Sequence, residues 1–180
     1  MNNRRIAFAL TLAYLWVVMI HLGALVFETF IIYPNIFHDV PHSLETSMTF
    51  MAVRGPADFF PPIGFLSLLL GLSSVVLGWR VRSARYWILA SVLLAICGEF
   101  VLSVAYFWPR NEILFVEGMD VHSAAYLQQT AREFQIGHWL RFASNLVVAA
   151  FAFVGFLRFY RHRVIGQNPH PERKEAEGRN

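Results

Sequence analysis

The sequence contains a single cysteine, Cys97, and only 15% of its 180 residues are charged. One cysteine excludes an internal disulfide and any paired-thiol redox or thiolate metal site within one chain. Glycine-rich phosphate loops and the alternating apolar–polar pattern of membrane β-strands are also missing from the sequence. These absences exclude disulfide scaffolds, paired-thiol enzymes, phosphate-loop enzymes and β-barrels from the classes to be considered.

Long apolar runs dominate what remains. The chain is 56% hydrophobic and includes 17 Phe and 5 Trp. A helix needs about 20 residues to cross the hydrocarbon of a bilayer. Four runs lie near or above this length, at about 6–33, 60–79, 86–108 and 138–160. Because lipid cannot satisfy free backbone groups, these runs are expected to be helices. The predicted fold is an all-α integral membrane four-helix bundle, with one domain over residues 1–163.

Two segments outside the apolar runs have patterns of their own. Residues 120–137 carry apolar side chains at helical spacing (Ala124, Leu127, Ala131 and Phe134). This spacing predicts an outer amphipathic helix between the third and fourth spans. Residues 164–180 are polar and charged and contain two prolines. We expect them to form a disordered cytoplasmic tail.

Arginines are concentrated at one end of the predicted bundle. They precede the first run, fill the turn between the second and third, and follow the fourth (Arg4, Arg5, Arg80, Arg82, Arg85, Arg158, Arg161 and Arg163). The positive-inside rule then predicts that both termini are cytoplasmic. This topological role explains the basic residues better than nucleic-acid binding does. A bacterial inner membrane is the default location. The first run is too long for a cleavable signal peptide and is expected to remain as a helix.

Six ionisable or amide side chains lie inside the apolar runs: His21, Glu28, Glu99, His138, Arg141 and Asn145. Such groups are costly in a bilayer and usually face the interior of a bundle. On helix 4, positions 138, 141 and 145 share one face, and on helix 1 positions 21 and 28 do so. We therefore expect one cluster, drawn from spans 1, 3 and 4 and opening outward, which Asp58 at the mouth of span 2 would complete.

Two interpretations of this cluster remain open. In the structural one, Arg141 forms a buried ion pair with Glu28 or Glu99, and Asn145 donates a hydrogen bond between helices. In the functional one, the carboxylates do acid–base chemistry and a histidine passes on the proton. Aromatic residues near the mouth, including Tyr106 and Trp139, would then line a site for a flat apolar substrate.

A cofactor is a further open question. Imidazole and carboxylate are suitable metal ligands, and His21 with His138 are the two candidates for a haem. His38 and His42, in the first outer loop, are a second candidate pair for a transition metal. The Glu-x-x-His signature of di-iron bundles is missing. The cluster is equally compatible with no cofactor at all.

Three short motifs resemble those of a known family. They are Arg54-Gly55-Pro56 before a Phe-Phe-Pro segment, Pro109 to Leu114 after the third span, and His138-Trp139-Leu140-Arg141 at the start of the fourth. With the four-span layout, they resemble the DUF1772 group of membrane proteins, which includes the fungal anthrone oxygenases. The resemblance implies that Asn111, His138 and Arg141 share a site. It also implies, as one activity of the family, oxidation of polycyclic phenolic anthrones by dioxygen.

The leading hypothesis is a small membrane oxidoreductase of the oxygenase type, acting on a lipophilic, aromatic substrate. Glu28 or Glu99 would be the base, Arg141 would stabilise an enolate or phenolate, and His138 and Asn111 would position substrate or oxygen. Asn145 would help to bind substrate. Two other classes remain as alternatives: a non-catalytic accessory subunit of a larger membrane complex, and a proton-coupled carrier that works as a homo-oligomer.

Overall fold

The computed structural model describes residues 3–165, and all of the regular structure in this range is helical. Contiguous helical turns merge into five helices. Helix α1 covers Asn3–Phe27, Glu28–Ile32 and Tyr33–Ile36, α2 is His42–Phe50, and α3 is Pro56–Leu77. Helix α4 begins with Arg82–Ala95 and continues to Val121, and α5 is Ala124–Ile165. The predicted tail, 164–180, lies outside the described residues from position 166 onward.

Four of these helices are long and apolar enough to cross a membrane: Arg5–Ile36, Pro56–Leu77, Arg82–Val121 and Ala124–Val164. Many of their large apolar side chains face outward, including Trp16, Phe65 and Phe100. Outward apolar side chains suit a surface in contact with lipid. The prediction of an all-α fold with four helices able to span a membrane is confirmed.

The four spans form a ring in which each helix packs against two others. Helix α1 packs mainly against α3 and α5, and α4 packs mainly against α5 and, less extensively, against α3. Glycines permit the close approaches. A Cβ added at Gly71 would lie 2.5 Å from Val92 Cγ2, and one at Gly155 would lie 2.6 Å from Ile88 Cγ1. Small residues at such contacts let helix backbones approach in the absence of a hydrophobic driving force.

The first and third membrane-spanning helices each continue past a proline. Pro34 lies in the short helical turn Tyr33–Ile36, directly after the π-helical turn Glu28–Ile32. Pro109 likewise follows the π-helical turn Ser103–Phe107, and α4 continues to Val121. A proline lacks an N–H and clashes with the carbonyl four residues before it. A wider turn just ahead of the ring shifts the hydrogen-bond register, so the helix passes the proline. These two helices therefore continue beyond the apolar runs that end near 33 and 108, to Ile36 and Val121.

No separate amphipathic helix forms between the third and fourth spans. Residues 124–137 are instead the first part of α5, which is continuous to Ile165. The predicted apolar face does exist, because Leu127, Ala131 and Phe134 are buried. The boundary is missing because the segment around position 137 contains one glycine and no proline, and a single glycine does not end a helix.

Two apolar cores fill the bundle, one at each end. The core near the 78–81 turn includes Tyr14, Val75, Ile88, Val92 and Phe159. The core near the 37–41 loop includes Tyr33, Leu44, Phe107, Leu127 and Phe134. On α1, α4 and α5, the residues between these two cores include every polar side chain predicted for the intramembrane cluster. The fold therefore separates its apolar interior into two parts with a polar layer between them.

Candidate functional site

The polar layer consists of side chains from three spans. We define it as His21, Glu28 and Thr29 on α1, Glu99 and Ser103 on α4, and His138, Arg141, Ser144 and Asn145 on α5. The contacts described below link α1 to α4, α1 to α5, and α4 to α5. The structure thus brings the predicted residues of spans 1, 3 and 4 into one neighbourhood. Asp58 is not part of it, since its carboxylate accepts from the Gly55 N–H at 2.9 Å and lies 3.4 Å from Arg54.

His21 and Glu99 form the contact between α1 and α4. His21 Nε2 lies 3.4 Å from Glu99 Oε2, within ion-pair distance but without hydrogen-bond geometry. The His21 side chain is 6% exposed and that of Glu99 is 18% exposed, so the carboxylate is the more accessible partner. The imidazole also packs against the Phe60 ring, with centroids 5.4 Å apart. Glu99 Oε1 is buried and has no hydrogen-bond partner among the described residues.

Glu28 is the more deeply buried carboxylate, with 5% of the residue exposed. The Tyr33 hydroxyl donates to its Oε1 over 3.4 Å, and its Oε2 has no partner in the part of the chain described. Both glutamates lie in π-helical turns, Glu28 in Glu28–Ile32 and Glu99 in Ile96–Val101. Such turns are rare and frequently occur at functional sites. The same local distortion therefore accompanies each intramembrane carboxylate.

His138 contacts α1 through Thr29. Its Nε2 lies 2.8 Å from Thr29 Oγ1, and Thr29 Oγ1 also donates to the backbone oxygen of Leu25 at 2.6 Å. The imidazole ring is 1% exposed and meets the Tyr33 ring edge-to-face at 4.4 Å. The other ring nitrogen, Nδ1, is buried without a partner among residues 3–165.

Arg141 provides the positive charge of the polar layer. Its Nη2 donates to Ser103 Oγ at 3.0 Å, and its Cζ lies 3.5 Å from the centroid of the Phe107 ring. Arg141 is near enough to Glu99, Tyr33 and Glu28 to interact with them electrostatically. No carboxylate in the described chain, however, comes within 4.0 Å of its side-chain nitrogens. The direct Arg141–glutamate ion pair considered from the sequence is therefore not formed. The guanidinium is held by a hydroxyl and an aromatic face, and its Nε has no partner.

The four residues predicted to bind substrate fall in different places. Asn145 is buried in the layer, but its amide donates to the Arg141 backbone oxygen at 3.0 Å, within its own helix. Trp139 is 51% exposed and packs edge-on against Phe30, so it faces outward.

The other two lie nearer the 37–41 loop end. The Tyr106 hydroxyl donates to the Glu133 backbone oxygen at 2.7 Å, and the Arg110 guanidinium lies 3.6 Å above its ring. Asn111 is partly buried beside Arg110. The structure therefore does not bring Trp139 or Tyr106 into the polar layer.

The histidines proposed as metal ligands are dispersed. His38 Nδ1 lies 2.8 Å from the Asn35 backbone oxygen, and His42 is exposed at the start of α2. His21 contacts Glu99, whereas His138 contacts Thr29. Within residues 3–165, no three His, Cys, Asp or Glu side chains are close enough together to hold a metal ion. Each candidate histidine thus has a different set of neighbours.

Three hydroxyl residues of the layer were not predicted from the sequence: Thr29, Ser103 and Ser144. Ser103 lies one helical turn after Glu99, and Thr29 directly follows Glu28. Serine and threonine in apolar helices commonly bond to their own backbone, and here Ser67 and Ser74 do so. Residue type and spacing therefore cannot distinguish a hydroxyl of the layer from one that bonds only within its own helix.

The chemistry available at the layer is acid–base and electrostatic. Buried side-chain atoms without a partner in the described structure include His21 Nε2, Glu28 Oε2, Glu99 Oε1, His138 Nδ1, Arg141 Nε and Ser144 Oγ. Buried polar atoms are normally hydrogen-bonded, and leaving one unpaired costs roughly 1–3 kcal/mol. Such atoms from three helices make the polar layer the candidate site of this chain. Comparison with protein-family models, characterised proteins and solved structures finds no match to this chain.

Proposed function

We propose that this chain is a small integral membrane oxidoreductase of the oxygenase type, acting on a lipophilic, aromatic substrate at the polar layer. One observation carries the proposal. A carboxylate oxygen, an imidazole nitrogen and a guanidinium nitrogen, each buried and without a partner among residues 3–165, belong to one polar layer between two apolar cores. An aromatic molecule with one acidic group matches this arrangement, because its rings suit the apolar side chains that border the layer and its acidic group suits the layer itself.

The residues of the layer divide between proton acceptance and charge stabilisation. Glu28 is the first candidate for the base, because its Oε2 is buried and free to accept a proton. Arg141 lies in the same neighbourhood without a carboxylate contact, so its charge is available to an enolate or phenolate. Preorganised charge in a dry site stabilises a developing anion far more than it would in water.

The His21–Glu99 pair would carry the proton away, because its carboxylate is the most accessible of the two in the layer. His138 would position the substrate. Its ring contacts Tyr33, which in turn donates to Glu28, so the imidazole and the proposed base are linked through one side chain.

Dioxygen is the oxidant that the resemblance to anthrone oxygenases supplies. Removal of a proton from an acidic methylene gives a carbanion in its enolate form, whose electron pair forms a bond to dioxygen. The peroxide anion takes up a proton, and the hydroperoxide loses water to leave a ketone. In sum, the methylene compound and dioxygen give the ketone and water, with no other reductant. The chain's own residues are needed for the proton transfers and for holding the anion.

The distribution of arginines supports a topology for this site. We place both termini in the cytoplasm and the connections 37–55 and 122–123 outside, with the first part of α5 near the outer boundary. The polar layer then lies between the cytoplasmic and outer ends of the spans, where a substrate dissolved in lipid would reach it. A bacterial inner membrane remains the proposed location.

The experiment is a comparison of two arginines on α5. The purified protein in lipid nanodiscs is given anthrone, and dioxygen uptake is followed with a protein-free control for autoxidation. Arg141→Ala should lower protein-dependent turnover by on the order of 10²-fold or more, because it removes the charge that holds the anion. The matched variant, Arg132→Ala, changes an exposed arginine of the same helix and should leave turnover unchanged.

Retained helical content in both variants shows that the bundle is folded. Full activity of Arg141→Ala contradicts the assigned role. If wild-type protein gives no turnover and purifies with other membrane chains, the accessory-subunit hypothesis replaces this one. Proton flux across liposomes that contain the protein but no substrate would instead favour the proton-coupled carrier.

A further inference from the structure

The Thr29 hydroxyl takes part in two hydrogen bonds but has only one proton to donate. Its Oγ1 lies 2.6 Å from the Leu25 backbone oxygen and 2.8 Å from His138 Nε2. A carbonyl oxygen can only accept, so the Thr29 hydroxyl proton must be donated to Leu25. Oγ1 then has only lone pairs to offer to His138. The His138 contact is consequently a hydrogen bond donated by the imidazole, from Nε2–H to Thr29 Oγ1.

This assignment determines the other ring nitrogen. A neutral imidazole carries one proton, and with that proton at Nε2 the Nδ1 atom is a bare lone pair. A doubly protonated ring would put a second positive charge one helical turn from Arg141. Its Nδ1–H would be buried without a partner among the described residues. His138 is 1% exposed, and Nδ1 has no partner among the described residues. His138 Nδ1 is therefore a buried acceptor without a donor among residues 3–165.

We infer that Thr29 is a positioning residue that fixes His138 in its Nε2–H tautomer and so presents Nδ1 as the acceptor for an O–H or N–H group of the bound ligand. The tautomer follows from the geometry alone, whereas the role toward a ligand rests on the proposed function. The ligand class is a hydrogen-bond donor, such as a phenol, and an ether of the same shape would lack the required proton. The alternative donor is a buried water molecule, which the test below distinguishes.

The tautomer is tested by nitrogen NMR without any substrate. Protein labelled with nitrogen-15 in its histidine rings is studied in nanodiscs, and the His138 signals are assigned by their loss in His138→Gln. The wild type should show a protonated Nε2 and an unprotonated Nδ1. Thr29→Val, which keeps the shape and removes the hydroxyl, should lose this preference, and Thr29→Ser should retain it. A protonated Nδ1 in the wild type, or an unchanged spectrum in Thr29→Val, overturns the inference.

The role toward a ligand is tested with a matched pair of probes, phenol and anisole. Phenol should shift the Nδ1 signal of His138 and anisole should not, because only phenol can donate to the lone pair. No shift with either probe means that water alone satisfies Nδ1, and equal shifts with both mean that the shift does not come from an O–H group. Either result overturns this part of the inference.

The turnover of the same Thr29 variants is an independent test of the role toward a ligand. With a hydroxyl-bearing anthrone in the assay above, Thr29→Val should lower turnover by on the order of 10²-fold, because the substrate O–H would lose its oriented acceptor, and Thr29→Ser should restore most of it. An intact tautomer in a wild-type protein without turnover would refute the proposed function and leave the tautomer assignment standing. The failures of the two proposals are thus distinguishable.

Discussion

Replacing Gly71 by alanine should destabilise the bundle, whereas the same change at Gly64, seven residues earlier on α3, should not. A Cβ at position 71 would lie 2.5 Å from Val92 Cγ2 and 3.0 Å from Tyr14 Cε2. A Cβ at position 64 meets nothing within 4 Å. Neither neighbour of Gly71 moves easily. Val92 is fully buried and β-branched, and the Tyr14 hydroxyl is hydrogen-bonded to Ser91 at 2.8 Å.

The magnitude follows from two opposing terms. Each glycine-to-alanine change gains about 0.5–1 kcal/mol of helix stability, because alanine loses less backbone entropy. At Gly71 this gain is opposed by overpacking, which costs typically about 1–3 kcal/mol. Because the helix term is common to both variants, the difference between them measures the packing term alone. Gly71→Ala should therefore be less stable than Gly64→Ala by about 1–3 kcal/mol.

The assay is unfolding in detergent micelles by added dodecyl sulfate, followed by far-ultraviolet circular dichroism, for the wild type and both variants. The free energy of unfolding should rise slightly for Gly64→Ala and fall for Gly71→Ala. Equal stabilities for the two variants would refute the close approach of α1, α3 and α4 at this point.

Two further predictions concern contacts between the same helices. The Tyr14 hydroxyl donates to Ser91, whose own proton goes to the Val148 backbone oxygen at 2.8 Å, so a double-mutant cycle of Tyr14→Phe and Ser91→Ala should give a coupling of about 0.6 kcal/mol. Additive stabilities in that cycle would contradict the hydrogen bond. Gly98→Ala places a methyl group against the Ser144 side chain, so it should lower anthrone turnover by separating α4 from α5. Adding Ser144→Gly should recover the loss, and no recovery would contradict the contact.

The coarse fold could be predicted because lipid leaves few choices for an apolar run of this length. Length and composition were sufficient for four helical spans, and the cost of polar groups in lipid was sufficient to select Glu28, Glu99 and His138 as interior residues. The helix ends could not be predicted in the same way. Pro34 and Pro109 break an ideal α-helix, but a π-helical turn ahead of each changes the register locally.

The site was predictable at the level of residues but not of atoms. Helical periodicity indicates which side chains share a face, and His138, Arg141 and Asn145 do lie in one layer. It does not indicate which atoms pair. Arg141 contacts Ser103 and Phe107 rather than a glutamate, and Asn145 bonds to its own helix. Such choices depend on distances across helices, which a single sequence does not contain.

Isotopically labelled dioxygen shows whether the polar layer performs oxygenase chemistry on a lipophilic substrate. Nanodisc-embedded protein is given anthrone under heavy-oxygen gas, and the product is analysed by mass spectrometry against protein-free and Arg141→Ala controls. We expect protein-dependent ketone that carries one heavy oxygen atom from the gas, with little formed by the variant. Product formed at the protein-free rate, or product whose new oxygen comes from water, would contradict it.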